Sequence, residues 1–128
     1  MEDIRIQLME WISQQLIPVG VPVYSVVPDD TNFPYIFIGN VSTEELQNKT
    51  NFRQQGFVNV EIYFSAGYSI LDGLNLLKEV KALLQPNKGF YPPFFSSWWL
   101  SSDSGFQAIN AGNRVYVATI QYRFEYQQ

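Results

Sequence analysis

The chain has 128 residues, a formal net charge of −4, a high aromatic content and neither cysteine nor histidine. This length favours one domain with a single core. The missing residue types exclude disulfides, thiol nucleophiles, histidine catalysis and the common zinc and haem sites, and the acidic balance disfavours tight binding of nucleic acid.

The first predicted element is an amphipathic helix over residues 2–17, which Pro18 and Gly20 end. Its apolar side chains recur at helical spacing and are Ile4, Leu8, Trp11, Ile12 and Leu16. A short strand is predicted over residues 21–27, closed by Pro28 and a polar turn. The acidic N-terminus argues against a signal peptide, and no run approaches the roughly 18 apolar residues that cross a bilayer.

Two strong strand patterns follow, separated by a polar segment. Residues 35–42 form an apolar run, and residues 57–64 alternate so that Val58, Val60, Ile62 and Phe64 share the core face. The polar segment over residues 43–56 cannot fill a core, and it is longer than a tight hairpin needs. The two strands are expected to pair as a long hairpin.

The second half of the chain predicts one helix and two further strands. The helix covers residues 69–85, with one apolar stripe made of Ile70, Leu74, Leu77, Val80, Leu83 and Leu84. A strand over residues 96–110 is expected to be interrupted near Asp103–Gly105. The last strand, over residues 113–127, alternates strictly, and its core face is predicted to be Tyr116, Ala118, Ile120, Tyr122, Phe124 and Tyr126.

This order, α-β-β-β-α-β-β, predicts a single α+β domain over residues 1–128. We expect a mainly antiparallel sheet with both helices packed on one face, as a ferredoxin-like sandwich. No internal repeat, low-complexity tract or linker divides the chain.

The sequence contains few groups that could support catalysis. No EF-hand, P-loop or nucleophile elbow is present, so we expect no enzyme activity, no metal and no cofactor. Glu61 and Glu125 both lie on predicted strands and would be the residues of a two-carboxylate site, although a solvent-facing strand explains them equally well. The adjacent Trp98 and Trp99 point to opposite faces of their strand, so one indole is expected outside the core.

Taken together, these elements resemble the tail terminator, or tail completion, proteins of long-tailed bacteriophages. The resemblance covers residues 1–86 and starts with the N-terminal amphipathic helix. It continues through VPVYSVVPDDTNFPYIFIGNVS, a polar arm through Lys49 and Thr50, the alternating strand FVNVEIYFSAGYS and the helix ILDGLNLLKEVKALL. The stretch WWLSSDSGFQAIN departs from the family in detail.

The resemblance implies a structural virion protein that forms a ring, typically a homohexamer, on the head-proximal end of the tail tube. Such a ring ends tube polymerisation and joins the tail to the head. The implied partners are other copies of the chain, the tail tube protein and a head–tail connector or neck protein. DNA is expected to pass through without specific binding, which suits a negative charge, and no membrane is involved. The implied location is the virion tail or neck, with assembly in the host cytoplasm.

In that family the sheet and the long arm between strands make subunit and tube contacts, which makes residues 43–56 the first candidate for an assembly arm. Trp98 and Trp99 are also predicted to contact a partner. The predicted interaction residues are Glu44, Glu45, Gln47, Lys49, Asn51, Arg53, Gln55, Trp98 and Trp99.

Two other functions stay open from the sequence. A neck or head-completion connector would use the same kind of chain to close the head rather than the tail. A ferredoxin-like regulatory domain would instead line a small-molecule pocket with its aromatic side chains.

Overall fold

The structure, a computed structural model, describes residues 3–29, 31–45, 53–65, 70–84, 95–110 and 115–127. In chain order these residues form α1 (Ile4–Gln15), a 3₁₀ turn (Ile17–Val19), β1 (Val23–Tyr24), β2 (Tyr35–Glu45), β3 (Arg53–Ser65), α2 (Ile70–Leu83), β4 (Phe95–Asn110) and β5 (Val115–Gln127). The predicted α+β content, with two helices and several strands, is therefore confirmed.

Helix α1 lies within the predicted range of residues 2–17 and is two residues shorter at each end. Asp3 is its N-cap, and the Asp3 carboxylate accepts a hydrogen bond of 2.9 Å from the backbone N–H of Arg5. After the 3₁₀ turn, Gly20 adopts a φ of 75°, a left-handed conformation that favours glycine. Leu8 and Ile12 are fully buried, so the predicted apolar stripe does face the core.

The strand order across the described sheet is β1-β2-β3-β5-β4. β1 pairs with β2 in parallel, and the other three pairings are antiparallel, so the sheet is mixed. The ferredoxin-like prediction is not confirmed, because a ferredoxin-like chain runs β-α-β-β-α-β whereas this one opens with a helix and three strands. β1 has two residues rather than the predicted seven. It follows Pro22, which has no backbone N–H to donate to a ladder.

The polar segment between the two central strands is largely strand in the described residues. β2 extends to Glu45 and β3 begins at Arg53, with Thr43 opposite Gly56 and Glu45 opposite Gln54. The expected long hairpin is thus present, and its strands run further than predicted. Gly56 is required at this point because a Cβ there would overlap the backbone carbonyl oxygen of Ser42 on the neighbouring strand.

One face of the sheet forms the core with both helices. The predicted core faces of β3 and β5 are confirmed, and Val60 and Ile120, which lie opposite each other, are fully buried. The buried apolar side chains from α2 are Leu76, Leu77 and Val80, and Leu84, which directly follows the helix, is buried as well. The prediction that Leu74 belongs to this stripe is wrong, because its side chain is 49% exposed.

The orientation of α2 follows from a close contact at Gly73. A Cβ at Gly73 would lie 2.9 Å from the Phe64 ring, so the helix approaches β3 through this glycine. Gly73, Leu77, Val80 and Leu84 then face the sheet, and Leu74 is turned toward solvent.

Strand β4 is continuous, but it is irregular where the sequence predicts an interruption. Its register with β5 shifts between Asp103 and Phe106, and Gly105 has a φ of 65°. The Asp103 carboxylate accepts a 2.7 Å hydrogen bond from the Lys81 ammonium and a 3.0 Å bond from the Gly105 backbone N–H. Burial raises the pKa of Asp103, but these two bonds outweigh it and the pKa is lowered overall.

Candidate interaction surface

The two helices leave the opposite face of the sheet uncovered by any described element. We call it the open face. Alternation along the strands places a mixed set of aromatic, amide and charged side chains there, most of them partly exposed. Its members are Tyr35, Phe37, Phe57, Asn59, Glu61, Tyr63, Val117, Thr119, Gln121 and Arg123.

Aromatic rings gather at one end of the open face. Tyr35 and Tyr63 are cross-strand partners, and their rings are stacked with centroids 4.9 Å apart. Phe33 stacks on Tyr35 at 5.4 Å, and Tyr24 meets Tyr35 edge to face at 6.1 Å. We call these four rings, together with Glu61, the aromatic end of the open face. Phe33 is 39% exposed, so the stack continues to the molecular surface.

Glu61 is a half-buried carboxylate within the aromatic end. It lies opposite Phe37 on β2, and one of its carboxylate oxygens is close to the backbone of Gly39. The Tyr63 hydroxyl donates a weak hydrogen bond to it at 3.3 Å. Burial raises the pKa of Glu61, and the Tyr63 bond only partly opposes this shift.

The same environment raises the pKa values of the neighbouring tyrosines, Tyr35 and Tyr63. Burial, followed by the nearby Glu61 charge, raises the pKa of Tyr63 to about 12. The same two causes, in the same order, raise the pKa of Tyr35. Both tyrosines therefore stay neutral at physiological pH and act as hydrogen-bonding groups on apolar rings rather than as bases.

The rest of the open face is held by contacts between strands. The Gln121 side-chain amide donates to the Asn59 side-chain oxygen at 3.1 Å. The Arg123 guanidinium lies 5.9 Å from the centroid of the Phe57 ring and donates to the Ser101 hydroxyl at 3.2 Å. These contacts between strands order the side chains of the open face.

The predicted interaction residues fall in three groups. Gln47, Lys49 and Asn51 lie outside the described residues. Glu44 and Glu45 end β2 and Arg53 begins β3, so these three lie on the paired strands at the far end of the hairpin. Gln55 follows on β3, opposite Glu125 on β5, and it is partly exposed.

The two tryptophans point to opposite faces of β4, as the sequence predicts. Trp98 is 3% exposed: its indole N–H donates to the Leu84 backbone carbonyl at 2.9 Å, and its ring stacks on Tyr122 with centroids 4.8 Å apart. Its place among the predicted contact residues is therefore wrong, because the core already covers it. Trp99 is 38% exposed and lies opposite Arg123.

The structure separates the two carboxylates of the enzyme alternative. Glu61 lies opposite Thr119 and Glu125 opposite Gln55, six residues apart along β3. At the rise of a strand this is about 20 Å, well beyond the separation in a two-carboxylate site. In the described parts of the chain, no three acidic side chains cluster as metal ligands would. None of the described helices is both long enough and apolar enough to span a bilayer.

The aromatic end and the outer surface of α2 were missed at the level of sequence. Alternation places Tyr63 on the second face of its strand, but its pairing with Tyr35 depends on the register of β2 and β3, which periodicity does not reveal. Leu71 and Leu74 are 64% and 49% exposed on α2. Their spacing of three residues puts them on one side of the helix, a signal that was available but hidden by the other leucines of α2.

The sequence matches no family model and no curated protein. Among solved structures, the chain is similar to one described as "Virion of native gene transfer agent (GTA) particle". The TM-score is 0.75 with 14% identity, and the match covers 94% of this chain and 95% of the other. At this identity the similarity shows a shared fold over almost the whole length of both chains.

Proposed function

We propose that this chain is a structural protein of a phage-like virion, which forms a ring on the head-proximal end of the tail tube. The ring ends tube polymerisation and joins the tail to the head. The observation that carries the proposal is the fold shared, over 94% of the chain, with a chain of a gene transfer agent virion. The resemblance of residues 1–86 to tail terminator proteins supports the finer assignment.

The proposed role is not enzymatic. Glu61 contacts tyrosines that stay neutral, and the described residues place no second carboxylate, lysine or metal cluster beside it. The open face instead presents ordered aromatic rings and amides, which are typical of surfaces that bind proteins. A virion component needs such surfaces and requires no catalytic group.

The proposed partners are further copies of the chain, the tail tube protein and a head–tail connector. A homohexameric ring requires heterologous contacts, in which one patch of each subunit binds a different patch of the next. The net charge of −4 suits a ring through which DNA passes without specific binding, since phosphates are not attracted to it.

The far end of the β2–β3 hairpin is the proposed contact with the tube. Glu44, Glu45 and Arg53 lie there, and Gln55 follows on β3. The paired strands give this end a defined direction, so it can act as a structured arm rather than as a loose linker. Gln47, Lys49 and Asn51 belong to the same proposal on the strength of the sequence alone.

Particle imaging and gene loss test the proposed role. We expect images of purified particles to show this chain as a ring at the tail–head junction. Loss of its gene should give overlong or unjoined tails. Leaking heads attached to tails of normal length would favour the neck or head-completion alternative, and absence of the chain from particles would overturn both assignments.

A hairpin variant tests the contact with the tube. Arg53 and Gln54 pair with Gln127 and Tyr126, so the replacement should spare them. We expect replacement of residues 46–52 by Asn-Gly to leave the circular dichroism spectrum and unfolding midpoint near those of the unaltered chain, while co-sedimentation with tail tubes is lost. Normal co-sedimentation of this variant would contradict the proposed arm. A Lys81→Ala variant on the helix side serves as the control.

A further inference from the structure

Glu61 at the aromatic end has no cation partner within the described part of the chain. Its hydrogen bond from Tyr63 is its one described polar contact, and it forms no salt bridge. Three described cations have partners elsewhere: Arg5 pairs with Asp3, Lys81 pairs with Asp103, and Arg123 lies over the Phe57 ring. A partner that supplied an ammonium or guanidinium would therefore gain a half-buried counter-ion set among aromatic rings, which attract cations.

The outer side of α2 carries the complementary pattern. Leu71, Leu74 and Lys78 are spaced at i, i+3 and i+7 and share one side of the helix, which we call the outer row. Both leucines are exposed large apolar side chains. Lys78 is exposed and forms no ion pair or hydrogen bond with the described residues.

The two patterns also match in spacing. Four residues of helix separate Lys78 from Leu74, a rise of about 6 Å. Two residues of strand separate Glu61 from Tyr63, a rise of about 7 Å. If an ammonium from the outer row meets Glu61, the neighbouring leucine lies over the stacked Tyr35 and Tyr63 rings.

We infer that the outer row of α2 in one copy of this chain docks onto the aromatic end of the open face in a second copy, with Lys78 against Glu61 and Leu74 against the Tyr35 and Tyr63 rings. This inference rests on the proposed ring, and it specifies which surfaces of neighbouring subunits meet. The helices lie on one side of the sheet and the open face on the other, so each bound copy still presents one unused patch of each kind. Repetition of such a heterologous contact gives a closed ring when the rotation between neighbouring copies divides a full turn, which is the arrangement that the proposed ring requires.

The physical gain comes from two sources. Leucine side chains leave water and cover tyrosine rings, which is the main favourable contribution in most interfaces. The Lys78 ammonium also supplies the opposite charge that burial of Glu61 otherwise lacks, and an opposite charge within a few ångströms favours the ionised carboxylate. A like charge at either position would instead be repelled.

Charge reversal tests the contact, with native mass spectrometry of the full chain as the assay. Lys78→Glu and Glu61→Lys should each raise the concentration needed for half-assembly by at least about tenfold, and the double variant should recover most of the loss. Glu79→Lys is the matched control, because it changes a charge on α2 about 100° around the helix from Lys78. This control should assemble like the unaltered chain, and circular dichroism should show that every variant is folded.

A second measurement uses the unaltered sequence. Carbodiimide cross-linking of an equal mixture of ¹⁴N- and ¹⁵N-labelled chains should give an isotope-mixed Lys78–Glu61 amide, identified by peptide mass spectrometry. Folded single variants that assemble normally, a double variant without recovery, or a chain that stays monomeric would each overturn the contact. Normal rings from the single variants leave the virion role intact, whereas absence of the chain from particles overturns the proposed function itself.

Discussion

Replacement of Trp98 by phenylalanine should remove a large part of the stability of this chain. The indole N–H donates a hydrogen bond to the Leu84 carbonyl at the end of α2. The Trp98 ring meets Trp11 of α1 edge to face, with ring centroids 5.6 Å apart, and stacks on Tyr122 of β5. Trp98 thereby joins both helices to the sheet. Loss of the donor leaves the buried carbonyl without its indole partner, at a cost of about 1–3 kcal/mol, and the smaller ring adds about 1 kcal/mol of lost packing. We expect a decrease of about 2–4 kcal/mol in the free energy of unfolding.

Urea unfolding followed by far-ultraviolet circular dichroism measures this change without relying on tryptophan fluorescence. Trp99→Phe is the matched control, because the neighbouring residue is the same type but points away from the core. It should change the free energy of unfolding by less than about 1 kcal/mol. A Trp98→Phe variant that loses less than its Trp99 control would refute the role assigned to the Leu84 bond and the ring stack.

Three further predictions concern other parts of the structure. Gly56→Ala should cost about 3 kcal/mol or more in unfolding free energy, since its methyl group would overlap the Ser42 carbonyl; Gly20→Ala, with open space around it, should cost only about 1–2 kcal/mol. Glu61→Gln should stabilise the dilute monomer at pH 7. The pKa of Glu61 is higher in the folded chain than in the unfolded chain. The neutral Glu61 carboxyl therefore contributes stability that is complete below the unfolded-state pKa and is lost as pH rises through the folded-state pKa. Parallel stability–pH curves for variant and unaltered chain would contradict this. Lys81→Ala should cost under about 1 kcal/mol because its ion pair with Asp103 is partly exposed, while nuclear magnetic resonance titration should show a higher pKa for Asp103; an unchanged Asp103 titration would count against the pair.

The strand faces could be predicted from the sequence because alternation determines side-chain direction without any knowledge of pairing. Val58 to Phe64 on β3 and Tyr116 to Tyr126 on β5 were assigned in this way, and the opposite directions of Trp98 and Trp99 follow from the same rule. Helix α1 could also be predicted from the sequence, because one side of it carries nearly all of its large apolar residues.

The rotation of α2 and the register of the sheet could not be predicted in the same way. α2 has leucines on several sides, so periodicity alone does not decide which of them face the sheet. The Phe64 ring against Gly73 decides it, and that contact depends on how α2 packs on β3, which periodicity within α2 does not reveal. The stack of Tyr35 on Tyr63 likewise depends on the β2–β3 register, which includes a bulge between Ile38 and Val41.

The composition of the open face suits contact with a protein better than contact with water. An antiparallel sheet with one solvated face ordinarily alternates apolar residues toward the core with polar residues toward water. Here Tyr35, Phe37, Phe57 and Tyr63 occupy the side away from both helices, and Glu61 lies among them with its pKa raised by burial. Such a surface costs solubility and stability in an isolated chain. In the contact that we propose, a second copy of the chain would cover the rings and supply the missing positive charge, which would offset that cost.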